Sequence, residues 1–275
     1  MPICVRCSKI TMWEVFPIFF LFSGEKDMPN RIRKIDGTDI TIEIQEVLIK
    51  YMNNVFKNLR NLHLDDLTPN PLLMKLVGTV SEFNTASDIV KYMLNARIER
   101  STSTGFGNTI QKIATSFCEP TGVSEADISI VKPNKDGFPV RWYIQLKSGP
   151  NTVNRSICIQ ISQELQSAVR RAPGSAGLLG ITYGKETMVS GITQQYLSFD
   201  FEAGRNFWEF ISNDPECYRK LWILTISIAE KYEDRGGYTL KELIEIKRIE
   251  LTDQFIKKYG HSGEDMWNNF LEENM

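Results

Sequence analysis

Residues 126–171 decide the fold, and they read ADISIVKPNKDGFPVRWYIQLKSGPNTVNRSICIQISQELQSAVRR. Apolar and polar residues alternate on both sides of an Asp-Gly turn signal, which predicts a β-hairpin. Strand side chains have a period of two, so Gln145 and Lys147 share one face while their apolar neighbours are buried on the other. Asp127 on the first strand and Lys147 on the second can therefore point into the same space.

A helix follows this hairpin. The second strand ends abruptly at Ser-Gly-Pro-Asn, and either Asn154 or Ser156 can cap a helix that runs to about Arg171. Gln160 and Glu164 lie one helical turn apart at the edge of the apolar stripe of this helix. From there, both side chains can reach back toward the strand ends.

Asp127 and Lys147 form a pair that suits phosphodiester hydrolysis. A carboxylate at a strand start can hold a divalent cation. A neighbouring lysine can orient or deprotonate a water molecule and offset the negative charge of the transition state. The pattern alone also fits a lysine that merely caps a strand end on a solvated face, so it leaves both interpretations open.

The same residues resemble a known enzyme core. Asp127, followed by Gln145-Leu146-Lys147 and a helix, is similar to the PD-(D/E)xK nuclease core. Two longer stretches are STGFGN at 103–108 and QLKSGPNT at 145–152. They resemble one branch of that superfamily, the type II restriction endonucleases related to TdeIII and PmeII, several of which cut GGNCC-like sites.

This resemblance extends from about residue 70 to residue 232, which is most of the chain. It implies a type II restriction endonuclease that uses Mg²⁺ to hydrolyse phosphodiester bonds in a short palindromic double-stranded DNA site. A palindrome read by one kind of protein is most simply bound by a two-fold dimer, so we expect a homodimer. A cognate DNA methyltransferase is expected in the same system, without a stable complex.

The resemblance also implies roles for the site residues. Asp127 would bind the metal, Lys147 would position or activate the attacking water, and the backbone carbonyl between Gln145 and Lys147 is a further candidate ligand. Gln145 stands where the family usually has an acid, and its neutral amide is a weaker metal ligand than a carboxylate. Three alternatives follow: the acid has moved to Glu164 or the more remote Glu99, the site works with one carboxylate, or the site is inactive.

Two stretches are expected to contact DNA. The residues are Asn151, Asn154, Arg155, Thr104, Gly105 and Asn108. The first three directly follow the active strand, where the substrate backbone must pass if Lys147 reaches the scissile phosphate. The other three lie in residues 101–108, which we expect to form a loop between a helix capped by Ser87 and a later helix. Backbone amides at a helix N-terminus bind phosphate, and the resemblance makes this loop a DNA-backbone contact.

The composition is that of a globular protein. Hydrophobic residues make up 42% of the 275 residues and charged residues 24%, and the net charge of −2 excludes the global basic field of a nonspecific DNA-coating protein. Residues 132–171 hold seven basic against two acidic residues, whereas residues 229–275 hold seven basic against eleven acidic ones. This asymmetry fits a cleft that grips phosphate, and it also fits two ordinary solvated faces.

Five scattered cysteines argue against a metal centre of sulfur ligands. Cys4 and Cys7 form a lone CxxC without a second pair or a nearby histidine, so a zinc site is not expected. Cys118, Cys158 and Cys217 are expected to be buried thiols in a reducing cytoplasm.

The N-terminal residues 1–27 are interpreted as an extension. The apolar run at 10–22 is broken by Glu14 and Pro17, and it is too short to span a bilayer. Met28 opens a more ordinary sequence, so we favour a translation start placed too early or a peripheral arm over a secretion signal. No membrane association is expected.

The order of helices, hairpin, helix and further strands predicts an α/β fold with a single domain, in which helices flank a central mixed β-sheet. Residues 28–235 would form this restriction-endonuclease-like domain, and residues 236–275 would be a helical extension of it. Two alternative functions stay open. One is a structure-specific repair or junction nuclease with the same core, and the other is a DNA-binding protein whose catalytic site has decayed.

Overall fold

A computed structural model of the chain describes residues 39–119, 121–134, 137–233 and 236–275. Within these residues four strands form one sheet in the order β1-β2-β3-β4. The strands are β1 (Ile128–Pro133), β2 (Pro139–Lys147), β3 (Ala176–Ile181) and β4 (Asp200–Ala203). β1 pairs with β2 antiparallel, while β2, β3 and β4 run parallel. The predicted hairpin and the predicted mixed sheet are both confirmed.

Helices surround this sheet. They are α1 (Asp39–Arg60), α2 (Pro71–Val80), α3 (Ala86–Thr115), α4 (Arg155–Arg171), α5 (Gly191–Tyr196), α6 (Arg205–Ser212), α7 (Cys217–Lys231), α8 (Leu240–Tyr259) and α9 (Gly263–Asn274). Asn154 caps α4 by accepting a hydrogen bond from the amide of Ile157, as the sequence predicts. The N-terminal extension and the Cys4–Cys7 pair lie outside the described residues.

The sheet is buried on both faces. Ile144 and Leu146 have no measurable exposure and pack into a core with α1, α6, α7 and the end of α3. On the opposite face Tyr143 is 5% exposed and lies under the apolar stripe of α4. Because α4 joins two parallel strands, it must cross one face of the sheet, and it covers the face of Gln145 and Lys147. That face is therefore not solvated, which argues against the interpretation that Lys147 merely caps a strand end on a solvated face.

The prediction of a loop at residues 101–108 is wrong, because these residues lie inside α3. Thr85, rather than Ser87, is the N-cap of this helix. Serine, threonine and glycine disfavour helix interiors, but packing overrides that preference here. A Cβ on Gly105 would come within 3.3 Å of the ring of Tyr51, so only a small residue lets α3 approach α1 so closely. The hydroxyl of Thr109 is also satisfied within the helix, where it donates to the carbonyl of Gly105.

A second apolar core lies among helices alone. It joins the end of α1, α2 and the first half of α3 to α8 and α9 near the C-terminus. The amide of Ala86 donates to the carbonyl of His261, which ties the start of α3 to the turn before α9. The C-terminal helices therefore pack on the N-terminal helices, and the domain boundary at residue 235 stays a prediction.

β4 and its surroundings differ in detail from expectation. Alternation at Leu197, Phe199 and Phe201 predicts a strand, but the strand begins only at Asp200. Leu197 instead ends the short helix α5, which the sequence does not predict. Among the described residues, no helix is long and apolar enough to cross a membrane.

The described cysteines are free thiols. Cys158 and Cys217 are buried, and Cys118 is half-buried. Burial raises the pKa of Cys118 to about 12 and that of Cys217 to about 11, which keeps both thiols protonated. The predicted burial is confirmed for two of the three.

Candidate active site

Asp127 is anchored on the edge of β2. Its backbone amide donates to the carbonyl of Ile144 at 2.9 Å, and its carboxylate Oδ2 accepts from the amide of Leu146 at 2.6 Å. The register of β1 and β2 places Asp127 beside Gln145. The residue as a whole remains exposed, so its carboxylate is fixed in place and still open to a ligand.

The carbonyl of Leu146 lies on the same side as this carboxylate. The carbonyl of Lys147 points toward β3, where it accepts from the amide of Thr182 at 2.9 Å. Successive strand carbonyls point to opposite sides, so the carbonyl of Leu146 points away from β3 and toward Asp127. Two oxygen donors, one charged and one neutral, are therefore adjacent at the end of β2.

Gln111 on α3 completes this group, and sequence reasoning missed it. Its Nε2 donates to the carbonyl of Leu146 at 3.4 Å, a long hydrogen bond. The contact joins residues 35 positions apart, so no local pattern predicts it. The available signal was the four-residue spacing of Gly107 and Gln111, which puts both on one side of α3 facing β2.

Gln145 is buried and binds the backbone just before Asp127. It is 7% exposed, and its Nε2 donates to the backbone carbonyl of Glu125 at 2.9 Å. The carboxylate of Glu125 in turn pairs with Arg171 in the last turn of α4 at 2.6 Å. The residue that stands in the place of the usual acid therefore holds the turn that leads into Asp127.

Lys147 is the last residue of β2, two positions beyond Gln145 on the same face. It is half-buried. Partial burial limits the freedom of its side chain while its position at the strand end keeps it near the open edge where Asp127 lies. The structure thus brings the two predicted residues to the same end of the hairpin.

Glu164 lies on α4 and is half-buried. Its Oε1 accepts a hydrogen bond from Nε2 of Gln160 at 2.8 Å, so the predicted i,i+4 pair is present. Glu99 is exposed on α3, twelve residues before Gln111 and so about 18 Å away along the helix. Of the two candidate acids, Glu164 is on the element that covers the site and Glu99 is remote from it.

Within the described ranges, no group of three or more His, Cys, Asp or Glu side chains is arranged to hold a metal ion. The fit of a metal here therefore rests on Asp127 and the carbonyl of Leu146. Both are hard oxygen donors, and Mg²⁺ is commonly held by one or two carboxylates together with water and substrate phosphate oxygens. This donor set suits Mg²⁺ and does not suit a metal that prefers sulfur or nitrogen.

The two sequence stretches that carry the resemblance meet in space. A Cβ on Gly107 would lie 3.7 Å from the side chain of Ser148, so α3 passes directly over the end of β2. Thr104 and Asn108 are exposed one turn apart on α3, whereas Gly105 faces Tyr51. Their amides are inside a helix, so the proposed phosphate site at a helix N-terminus is wrong. Contact with DNA through the side chains of Thr104 and Asn108 stays a prediction.

The residues after β2 are held by the end of β3. Asn151 is exposed in the short 3₁₀ turn Pro150–Thr152, and the guanidinium of Arg155 stacks 4.5 Å from the ring centre of Tyr196. A Cβ on Gly149 would come within 2.2 Å of the ring of Tyr183, so a larger residue there would displace that ring from the end of β2. Tyr183, itself 53% exposed, was another residue that sequence reasoning missed.

Comparison with known proteins identifies a related family. A family model described as type II restriction endonuclease EcoO109I matches residues 38–234. The matched range contains the whole sheet and every candidate site residue named above. No curated protein sequence matches this chain significantly.

Proposed function

We propose that this protein, which belongs to the type II restriction endonuclease EcoO109I family, uses Mg²⁺ to hydrolyse both strands of a short palindromic site. Membership of the family makes it an endodeoxyribonuclease that cleaves DNA site-specifically. The observation that carries this proposal is the hydrogen bond between Asp127 and Leu146. It fixes a carboxylate and a carbonyl side by side at the strand end that carries Lys147.

Asp127 and the carbonyl of Leu146 would hold the metal ion. When bound, Mg²⁺ supplies Lewis acid chemistry that offsets negative charge on the scissile phosphate. Glu164 is our candidate for a second carboxylate, because it lies on the helix that covers the face of Lys147. Mg²⁺ binds at one or two carboxylates, so the proposal holds with either number.

The remaining chemistry belongs to side chains of the chain itself. Lys147 would orient the attacking water by donating a hydrogen bond from Nζ, and its positive charge would stabilise the phosphate oxygens as charge develops, while the proton of the water passes to bulk solvent. Gln145 acts as a positioning residue, since its bond to the carbonyl of Glu125 supports the turn before Asp127. In this proposal the buried amide gives Gln145 a structural role in place of metal binding.

DNA would cross the end of β2. Arg155, Asn151 and Asn154 lie on one side of it, and Thr104 and Asn108 lie on α3 on the other side. The basic excess in residues 132–171 favours this path for a phosphate backbone. A GGNCC-like site, as in the TdeIII- and PmeII-like branch, is our proposal for the sequence read.

We further propose a homodimer, since two copies related by a two-fold axis present two sites to the two strands of a palindrome. We also propose a cytoplasmic location, where the enzyme would meet incoming double-stranded DNA. A cognate methyltransferase would protect host DNA without forming a stable complex with this chain.

Incubation of the purified protein with plasmid DNA and MgCl₂ tests the proposal. We expect discrete fragments, and sequencing of their ends gives the site and the cleavage position. Smears, or selective cutting of branched DNA, would instead show a structure-specific nuclease. Binding without cutting would show a decayed catalytic site. This outcome is tested because Gln145 stands where the family usually has an acid. Lys147→Ala protein is the matched control for a contaminating nuclease.

A further inference from the structure

Helix α7 exposes large apolar residues on the side that faces away from the core. Its inward side is buried through Cys217, Leu221 and Leu224. On the opposite side Trp222 is 62% exposed, Ile223 is 56% exposed and Ile226 is 38% exposed. A solvent-facing helix side normally carries polar residues, and exposed aromatic and aliphatic groups that adjoin one another mark an interaction surface.

This apolar stripe has opposite charges at its two ends. Arg219 precedes it and Glu230 follows it, and at 100° per residue both fall on the same side of α7 as Ile223 and Ile226. The side chain of Arg219 is 77% exposed and reaches Glu216 only at 3.7 Å. Arg219 and Glu230 are eleven residues apart, which is about 16 Å along the helix.

We propose that this face, defined by Arg219, Trp222, Ile223, Ile226 and Glu230, pairs with the same face of a second copy of the chain. The two α7 helices would pack antiparallel about a two-fold axis between residues 224 and 225. This arrangement sets Arg219 of each copy level with Glu230 of the other, because both residues lie equally far from the axis. The inference rests on the proposed dimer and adds the surface that forms it.

Helix α7 packs against α1. Tyr232, just after α7, stacks on Phe56 with ring centres 5.1 Å apart and donates to Asn53 at 2.6 Å. At the other end, Cys217 shares a core with Ile40 and the first half of α1. The two helices therefore run side by side in the same direction.

The neighbouring helix α1 also carries two exposed apolar residues on the side away from its core. Ile42 is 55% exposed and Ile49 is 37% exposed. Stable interfaces bury roughly 800 Å² per partner, more than one helical stripe supplies. Two adjacent helices with apolar outward sides provide the wider contact that a stable dimer needs.

Sedimentation over a range of protein concentrations tests this surface. We expect the full chain to be a dimer and Trp222→Glu to be monomeric at concentrations where the unaltered chain is not. In the dimer, residue 219 of each copy faces residue 230 of the other, so Arg219→Glu creates two pairs of facing negative charges and Glu230→Arg two pairs of facing positive charges. Each single variant should therefore raise the dimer dissociation constant at least about tenfold. The double variant Arg219→Glu, Glu230→Arg restores both pairs and should return the constant to near its original value.

Leu76→Glu is the matched control, because Leu76 is 63% exposed in another apolar stripe, on α2. It should leave the dimer intact. The proposal is overturned if the full chain is monomeric, if Leu76→Glu dissociates the dimer while Trp222→Glu does not, or if the double charge variant fails to recover. A full chain that is monomeric beside a dimeric chain beginning at Met28 would show that residues 1–27 cover this face, which also overturns it.

A cleavage assay separates this inference from the proposed function. A dimer that dissociates as expected but does not cut DNA removes the nuclease proposal and upholds the interface. A monomer that cuts a palindrome removes the interface and upholds the nuclease. If Trp222→Glu fails to fold, as judged by circular dichroism, the two charge reversals decide, since both positions are exposed.

Discussion

The carboxylate of Asp127 is fixed by one short hydrogen bond to β2 and remains exposed to solvent. The site in that sense is prearranged, because no side-chain movement is needed to bring the carboxylate beside the Leu146 carbonyl. Prearranged charged groups stabilise a transition state without a reorganisation cost. Their removal should therefore affect the rate of cleavage far more than the binding of DNA.

Asp127→Asn and Lys147→Ala test this separation. Each should lower the cleavage rate by about a hundredfold to a thousandfold, because each removes one positioned charge. Single-turnover cleavage of a duplex that contains the site measures the rate, and fluorescence anisotropy in Ca²⁺ measures binding, which should change little. Lys241→Ala, at an exposed position of α8, is the control and should cut normally. Normal cleavage by Asp127→Asn would show that the site lies elsewhere.

Glu164→Gln tests the second carboxylate. If Glu164 ligates the metal, this change should slow cleavage about a hundredfold and raise the Mg²⁺ concentration needed for half-maximal rate. Gln160→Ala removes the hydrogen-bond donor and keeps the carboxylate, so it should cut at nearly the original rate. An unchanged rate and Mg²⁺ requirement in Glu164→Gln would mean that Asp127 is the single acidic ligand.

Glu202 on β4 makes stability depend on pH. Burial, and then the carboxylates of Glu186 and Asp200, raise the pKa of Glu202 above its ordinary value. The folded chain then keeps a proton that the unfolded chain releases, so stability falls as the pH rises from the ordinary carboxyl pKa through the raised one.

Glu202→Gln should remove this loss. We expect its melting temperature to exceed that of the unaltered chain by up to about 3 °C at about pH 8, after allowance for the partial exposure of the group. The difference should vanish near pH 4, where both states of Glu202 are protonated. Thermal melts at both pH values measure it, with the exposed Glu272→Gln as control. A larger gain at the lower pH would contradict the sign.

At the scale of elements, the turn after β2 and the start of α4 form the expected edge of the DNA path. Asn154 caps α4, and Arg155 is the first residue of the helix, where its stacking on Tyr196 directs the guanidinium. A phosphate contact releases counterions from DNA, which makes binding weaken as salt rises. The salt dependence therefore reports the contact more directly than affinity alone.

Arg155→Ala should weaken DNA binding and reduce the slope of log K against log salt by about one. Arg155→Lys keeps the charge and should keep the slope, which makes it the matched control. Binding titrations at several salt concentrations measure both. A slope that Arg155→Ala leaves unaltered would move the DNA path away from the start of α4.

Local patterns explain which elements were predictable. The hairpin and α4 follow from alternation, an Asp-Gly turn and a capping asparagine, all of which act over a few residues. The centre of α3 was not predictable, because its glycines and hydroxyl residues argue locally for a loop. There α3 packs closely on Tyr51 and Ser148, which are far away in sequence, and such packing is not visible in a local pattern. For the same reason the position of Asp127 and Lys147 at one end of the hairpin could be predicted, whereas the contacts of Gln111 and Glu125 could not.

At the scale of the whole molecule, the segment before Met28 stays a prediction from the sequence, where Glu14 and Pro17 break its apolar run. We interpret residues 1–27 as an extension of the folded chain. A chain that begins at Met28 should fold, with a melting temperature within about 2 °C of the full chain, and should cut DNA at the same rate. Calorimetry and the plasmid assay check this. Aggregation or loss of cleavage in the shorter chain would contradict it.

The backbone hydrogen bond between Ala86 and His261 has a consequence for folding during synthesis on the ribosome. The first half of α3 packs on α1 and α2, which precede it, but the cover from α8 and α9 is complete only about 175 residues later. At roughly 5–20 residues per second, that interval lasts about 10–30 s on the ribosome. Throughout it, the helix that carries Gln111 is only half packed. A chain released early, without its last two helices, would therefore leave the apolar side of the first half of α3 exposed, and exposed apolar surface of this kind makes unfinished chains prone to aggregate.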